Sequence, residues 1–247
     1  MFKFCLICTP RSGSFYVQRY ISKTFGLEFG SEWFGRVKKI HYEFGLKSSA
    51  VDIDHSVNEN LLTNAEITKR LVYLKNYNPS FIIKCMPFQL TNTIERNSIS
   101  FDGSQEISSK IMRNFSLIYL ENRDILSHFC FDVISKKQDY IKRNFTSYNP
   151  DIRQMPLENS MTATEEHFEH FLSRQKYVEV FKERNYNGQP IIIWEDFVND
   201  PIKEMYQIEE YYGIRGMYYE KNKRDIIPHP DYSKIFTNYD EIKSWIG

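Results

Sequence analysis

The chain has 247 residues, of which 41% are hydrophobic and 16% aromatic, so it can bury a sizeable core and is not a disordered protein. Its 32 basic and 32 acidic residues balance, which excludes a global field that would attract nucleic acid or a membrane surface. Any anion site must therefore be local. The sequence contains no run of about 18 apolar residues, so it predicts no membrane-spanning helix.

The N-terminus and the cysteines indicate the compartment. The first apolar run is too short for a signal peptide and is followed by Pro10 and Arg11. The four cysteines lack the paired spacing of a zinc site, so we expect buried thiols. These patterns predict a cytoplasmic protein without a metal, built as one domain over residues 1–247.

Short apolar runs alternate with helical patterns along the chain. The runs predict four buried strands, at residues 2–8, 81–86, 115–120 and 190–194. The helical patterns predict a helix capped by Ser14, helices at 59–73 and 104–113, a long helix with a Thr162–Glu165 capping box, and a helix started by Asp200 and Pro201. This alternation predicts an α/β fold with three layers, α/β/α, around a central parallel sheet. Ligands of such a sheet bind beyond the C-terminal ends of the strands, which places the segments at 9–14, 122–124 and 195–196 on one candidate edge.

The segment after the first predicted strand, Thr9-Pro10-Arg11-Ser12-Gly13-Ser14, has the composition of an anion-binding loop. A short polar loop that leads into a helix presents unpaired N–H groups and the positive end of the helix dipole to a ligand. Gly13 permits close approach of the backbone, Ser12 and Ser14 add hydroxyl donors, and Arg11 adds a forked cation. These residues predict a phosphate site, and they are equally compatible with a simple turn that carries a surface arginine.

Two other kinds of phosphate chemistry fit this segment less well. A nucleoside-triphosphate loop needs a first glycine and a lysine, and both are missing here. The spacing from Cys5 to Arg11 and Ser12 matches a cysteine phosphatase, with Asp200 as its acid. In that chemistry the cysteine ends the strand, whereas here the apolar run continues and is expected to bury Cys5 in mid-strand.

The same segment resembles the 5′-phosphosulfate loop of sulfotransferases, whose donor is 3′-phosphoadenosine 5′-phosphosulfate (PAPS). It is most similar to the bacterial and phage branch related to trehalose sulfotransferases. Three further segments follow in the family's order, GSEWF at 30–34, LIYLENRDILS at 117–127 and IIIWEDFVNDP at 191–201. The resemblance implies a sulfotransferase fold, PAPS as co-substrate and no metal cofactor.

The resemblance also implies roles for individual residues. The implied donor-binding residues are Arg11, Ser12, Gly13, Ser14 and Phe15 at the 5′-phosphate, and Arg123 and Ser127 at the 3′-phosphate. The implied catalytic residues are Glu32, Arg11 and Lys84. Glu32 would take the proton of the acceptor, with His41 as the alternative base, and Lys84 would reach the sulfonate.

The chain departs from the family pattern at two positions. Phe15 stands where many relatives have a threonine, and Phe131 stands where the 3′-phosphate serine is expected. Ser127 is the nearest hydroxyl, and Asn122 takes the place of the arginine in a shifted register.

The resemblance and its departures leave two possible functions. One is a sulfotransferase acting on a hydroxyl of a carbohydrate or small metabolite, with an acceptor-side loop at about 136–161. The other is a non-catalytic nucleotide-binding module on the same fold.

Overall fold

Five parallel strands form one sheet in the computed structural model, which describes residues 1–32, 64–87, 113–136, 160–219 and 230–246. The strands are β1 (Lys3–Ile7), β2 (Glu28–Glu32), β3 (Phe81–Cys85), β4 (Ser116–Glu121) and β5 (Ile191–Ile193). Their order across the sheet is β2-β3-β1-β4-β5. The chain therefore leaves β1 toward one edge, returns to the centre, and builds the other edge last.

Helices of the described ranges follow the strands or close the chain. They are α1 (Ser14–Phe25), α2 (Asn64–Asn76), α3 (Ile125–Lys136), α4 (Glu165–Asn185), α5 (Trp194–Asn199), α6 (Pro201–Tyr212), α7 (Tyr232–Ile235) and α8 (Tyr239–Ile246).

The helices cover both faces of the sheet. Successive side chains of a strand point to opposite faces, so Phe4 and Leu6 pack on the side of α1, α5 and α6. Cys5 and Ile7 pack on the side of α2 and α4. This is the predicted three-layer α/β/α arrangement around a central parallel sheet. A third apolar cluster joins α3 and α4 to the C-terminal helices α7 and α8.

The predicted strands agree with β1, β3, β4 and β5 to within one residue at each end. The observed strand β5 is shorter than the predicted range 190–194, because Trp194 already begins α5. The sequence patterns missed β2, since Glu28–Glu32 is charged at both ends and has a glycine in its middle. Its short length and polar sequence suit its place at the edge of the sheet.

Two predicted helix starts are wrong. Gly13, with φ 78°, is the N-cap of α1, and Ser14 is the first helical residue. The long helix α4 is capped by Thr164 rather than Thr162, and the Thr164 hydroxyl accepts a hydrogen bond from the N–H of His167 at 3.3 Å.

The start of α6 is confirmed, because Asp200 accepts a hydrogen bond from the N–H of Lys203 at 3.2 Å and Pro201 occupies the first turn. Most of the predicted helix at 104–113 and of the acceptor-side loop at about 136–161 lies outside the described residues. All four cysteines are described and are buried thiols. Within the described ranges, no helix has the length and apolar character that a bilayer crossing requires.

Candidate functional site

The central strand places the candidate site. From β1 the chain goes to β2 and β3 on one side, and it reaches β4 and β5 on the other side only later. The gap between the ends of β1 and β4 is therefore the topological switch point, where ligands of open α/β sheets bind. Two segments meet there: residues 9–13, called the β1 loop below, and residues 122–124, called the β4 turn.

The β1 loop has the backbone of an anion nest. Arg11 (φ 62°) and Gly13 (φ 78°) both adopt left-handed conformations. Alternation of left-handed with other residues turns successive N–H groups toward one side, where they bind anions. The loop then opens α1, whose first turn carries no acidic residue, so the positive end of the helix dipole is not neutralised there.

The hydroxyl of Ser12 serves the loop itself. Ser12 is completely buried, and its Oγ donates to the carbonyl oxygen of Thr9 at 2.8 Å. The predicted contact of this hydroxyl with phosphate is therefore replaced by an internal bond that closes the loop. The N–H groups of the loop remain the groups suited to an anion.

Gly13 is required for two reasons. Its φ of 78° is disfavoured for any residue with a side chain. A Cβ at this position would also lie 2.2 Å from Cζ3 of Trp194, the first residue of α5. The indole of Trp194 thus packs directly on the β1 loop, and only glycine fits beneath it.

Phe15 packs away from the loop. Its ring makes edge-to-face contacts with Tyr16, at 5.8 Å between centroids, and with Phe29 of β2, at 5.5 Å. The ring of Phe15 therefore joins α1 to the edge strand. The predicted contact of Phe15 with phosphate would have to come from its backbone N–H.

The β4 turn is held by two acidic residues of α5. The N–H groups of Arg123 and Asp124 each donate to the carboxylate of Glu195 at 3.1 Å. The guanidinium of Arg123, whose side chain is 64% exposed, pairs with both carboxylate oxygens of Asp196 at 3.1 and 2.9 Å. The β4 turn and the start of α5 were predicted to share one edge of the sheet, and the structure joins them there.

Ser127 is likewise engaged within the turn. Its N–H donates to Oδ1 of Asp124 at 2.8 Å, and its hydroxyl donates to Oδ2 at 2.6 Å. Asp124 thus caps the start of α3. Asn122 differs from both, because its buried Oδ1 has no hydrogen-bond partner among the described residues.

The remaining predicted residues lie at the β2–β3 side of the same edge. Glu32 of β2 and Lys84 of β3 are register partners, after an irregularity that begins at Phe29. A buried amide fixes this end of β2, because Gln18 of α1 donates to the carbonyl oxygens of Gly30 and Ile82, the latter at 3.0 Å. The backbone therefore brings two of the three predicted catalytic positions, Glu32 and Lys84, next to each other. Trp33, Phe34 and His41 lie outside the described residues.

Cys5 is unsuited to a phosphatase nucleophile. It is fully buried in the middle of β1, paired in register with Ile83 on one side and Leu117 on the other. The next residues, Leu6 and Ile7, continue the strand. The β1 loop therefore does not wrap around this sulfur.

Sequence patterns missed one residue that touches the β1 loop. His128 of α3 is 1% exposed, and its Nε2 lies 2.8 Å from the carbonyl oxygen of Pro10, which is 118 positions away in the chain. The available signal was a polar side chain within the apolar pattern of a helix that follows β4. A single sequence does not say which loop such a side chain meets.

Comparison with known proteins supports a distant likeness only. No protein-family model and no curated protein matches the chain. Among solved structures, a sulfotransferase from Alicyclobacillus acidocaldarius is similar at 10% sequence identity and a TM-score of 0.45, covering 94% of this chain and 88% of that one. The likeness concerns the fold, an α/β architecture with an all-parallel sheet.

Proposed function

We propose that this protein is a PAPS-dependent sulfotransferase that transfers the sulfuryl group to a hydroxyl of a carbohydrate or small metabolite. The observation that carries the proposal is the β1 loop, an anion nest with a cation, Arg11, at the switch point of a parallel sheet. The ordered resemblance of four segments specifies the anion as the 5′-phosphosulfate of the donor.

The β1 loop would hold the 5′-phosphate. The N–H groups of Ser12, Gly13 and Ser14 and the guanidinium of Arg11 are the donors that fit an anionic group at a helix start. The same donors would stabilise the charge that develops on the bridging oxygen as the bond to sulfur breaks. Because the loop is closed by its own hydrogen bond from Ser12 to Thr9, it needs little rearrangement to bind.

The β4 turn would hold the 3′-phosphate through an exchange of partners. Arg123 is the predicted ligand, and its guanidinium is paired with Asp196. This pair is exposed, and exposed pairs contribute only about 0–1 kcal/mol. A phosphate can therefore replace the Asp196 carboxylate on Arg123 at small cost, with Ser127 and the amide of Asn122 as the nearby polar groups.

Sulfuryl transfer needs in-line positioning and a base. The S–O bond to the bridging oxygen of the donor breaks, and a new S–O bond forms to the acceptor oxygen. In this proposal Glu32 takes the proton that the acceptor hydroxyl loses. Lys84, its register partner, would contact the sulfonate oxygens during transfer.

Calorimetric titration with 3′-phosphoadenosine 5′-phosphate (PAP), the desulfonated product, tests the donor site. We expect binding to the wild-type protein that weakens about tenfold or more in Arg11→Ala, since a charge-assisted contact to phosphate is lost. Arg19→Ala, on the exposed face of the same helix, is the matched control and should bind normally. Absence of PAP binding to the wild type would refute the proposal.

The second candidate is a PAP-binding module without transferase activity. The packing of the Phe15 ring against Tyr16 and Phe29 favours it, because the hydroxyl expected at this position is absent. Phe131 also packs at the edge of the α3–α4 cluster. Transfer of radiolabelled sulfate from PAPS to a panel of sugars and phenols separates the two functions, with Glu32→Gln as the variant expected to bind PAP and lose transfer.

A further inference from the structure

His128 links the two sides of the switch point. It lies on α3, directly after the β4 turn, and its Nε2 is 2.8 Å from the carbonyl oxygen of Pro10 in the β1 loop. A carbonyl oxygen can only accept, so Nε2 carries the proton in this contact. The imidazole therefore donates to the loop that is proposed to hold the 5′-phosphate.

The ring of His128 is itself held in place. Its Nδ1 lies 3.3 Å from Nε2 of Gln175 on α4, where a neutral ring accepts from the amide. The ring of Phe171, also on α4, meets it edge-on at 5.0 Å between centroids. With 1% exposure, the imidazole has a defined orientation in the contact between α3 and α4.

The hydrogen bond to Pro10 acts on the peptide that precedes Arg11. A trans peptide is planar, so the direction of the Pro10 carbonyl sets the opposite direction for the N–H of Arg11. Arg11 has φ 62°, a conformation that costs free energy in a residue with a side chain and persists where the surroundings hold it. Neighbouring tethers act on Thr9, through Ser12, and on Gly13, through Trp194.

We propose that His128 is a positioning residue, which orients the Pro10–Arg11 peptide so that the β1 loop is preformed for the 5′-phosphate of the donor. This inference rests on the proposed function. It assigns to α3 a role at both phosphates. The helix begins just after Arg123 and carries Ser127 in its first turn, and the next residue, His128, contacts the opposite loop. His128 touches no substrate in this scheme and acts only through the loop.

Binding of two nucleotides to two variants tests the positioning role. His128→Phe keeps the ring contact with Phe171 and removes the donor, whereas His128→Gln restores an N–H of similar reach. We expect PAP to bind His128→Phe about tenfold more weakly and His128→Gln within about threefold of wild type. Adenosine 3′-phosphate, which lacks the 5′-phosphate, should bind all three proteins equally. His170→Gln, an exposed histidine on α4, is the control.

Equal loss of both nucleotides in His128→Phe would assign His128 a general structural role and overturn the inference, as would unchanged PAP binding. A failure of the wild-type protein to bind PAP would instead refute the proposed function. In that event NMR still decides the positioning role. Spectra of ring nitrogens should show the proton of wild-type His128 on Nε2, and the amide signals of Arg11 to Ser14 should shift in His128→Phe and stay close to their wild-type positions in His128→Gln. A proton on Nδ1, or amide signals that do not move in His128→Phe, contradicts the inference.

Discussion

The β1 loop and the β4 turn both lead into a helix at the switch point, but they satisfy their N–H groups differently. The β1 loop is shaped by neutral contacts, a serine hydroxyl, an imidazole and an indole, and its first helical turn carries no carboxylate. The N–H groups of the β4 turn already contact a carboxylate, Glu195. The β4 turn thus already holds two internal carboxylates, Glu195 on its N–H groups and Asp196 on Arg123, and in the proposed function the 3′-phosphate would replace the second of them.

This difference suits a donor with two unlike phosphates. In the proposed function the 5′-phosphate would take part in the chemistry, so its site would gain from being rigid before the ligand arrives. The 3′-phosphate would serve recognition, and a site with a weak internal substitute could still select it. The acidic pair of α5 holds the turn through its contacts with Arg123 and Asp124.

The largest effect on stability is expected for a buried ion pair on the β4 side of the switch point. Arg174 of α4 pairs with Asp132 of α3, and the Asp132 side chain is 2% exposed. Arg174→Met should lower the free energy of unfolding by about 3–5 kcal/mol, because it takes the guanidinium of Arg174 away from a buried carboxylate. Urea denaturation measures the loss. The double variant Asp132→Leu/Arg174→Met should lose less than the single one, and a larger loss would contradict this explanation.

A substitution in the β1 loop should also destabilise the protein, in this case without any change of charge. Gly13→Ala combines a strained φ with the clash against Trp194, and we expect a loss of about 2–4 kcal/mol in unfolding free energy. Gly213→Ala is the matched control, because Gly213 has φ 61° and no atom within 4 Å of an added Cβ. Its loss should reflect backbone strain alone. Equal losses for the two variants would mean that Trp194 does not shape the loop.

The stability of the protein should also depend on pH, through a buried carboxyl group of α6. Glu204 of α6 is buried, and burial, followed by the nearby Asp196 charge, raises the pKa of its carboxyl above the ordinary 4.5. The folded state then holds this proton more tightly than the unfolded state, so the contribution of Glu204 to stability falls as pH rises from the ordinary pKa to the raised one. Above that window Glu204→Gln should be more stable than the wild-type protein, because the amide carries no charge to bury. Below 4.5 the difference should vanish, which denaturation at several pH values will show.

The smallest effect tests the exchange at the β4 turn. Asp196→Asn removes the competing charge from Arg123, so PAP should bind about two- to fivefold more tightly, as expected for an exposed pair worth up to about 1 kcal/mol. Adenosine 5′-phosphate, which has no 3′-phosphate, should bind as before. Asp240→Asn, which breaks the exposed pair with Lys243 in α8, is the control. Weaker PAP binding in Asp196→Asn would show that Asp196 orients Arg123 rather than competing for it.

Much of the site's backbone was predictable from the sequence. The β1 loop directly follows a dense apolar run, so its place at the end of a buried strand could be inferred without tertiary information. The β4 turn and the α5 segment were assigned to the same edge for the same reason. The edge strand β2 escaped prediction, because five residues with two charged ends carry no apolar pattern.

The side-chain partners could not be predicted. Arg11, Arg123 and Ser127 have chemistry that suits phosphate, but the sequence does not tell that Ser127 donates to Asp124, the cap of the same helix, or that Asp196 faces Arg123. The second of these pairings depends on how α5 packs beside the β4 turn. The residue spacing within each segment does not predict that packing.

The sequence by itself determined the local features: four core strands, the Asp200 cap, and a polar loop with glycine at the start of a helix. Such features depend on periodicity and on hydrogen bonds between residues a few positions apart. Tertiary structure decided the rest: the indole of Trp194 over Gly13, the imidazole of His128 on Pro10, and the carboxylates of α5 on the β4 turn. These contacts join residues that only the order of strands across the sheet brings together, and no local pattern encodes that order.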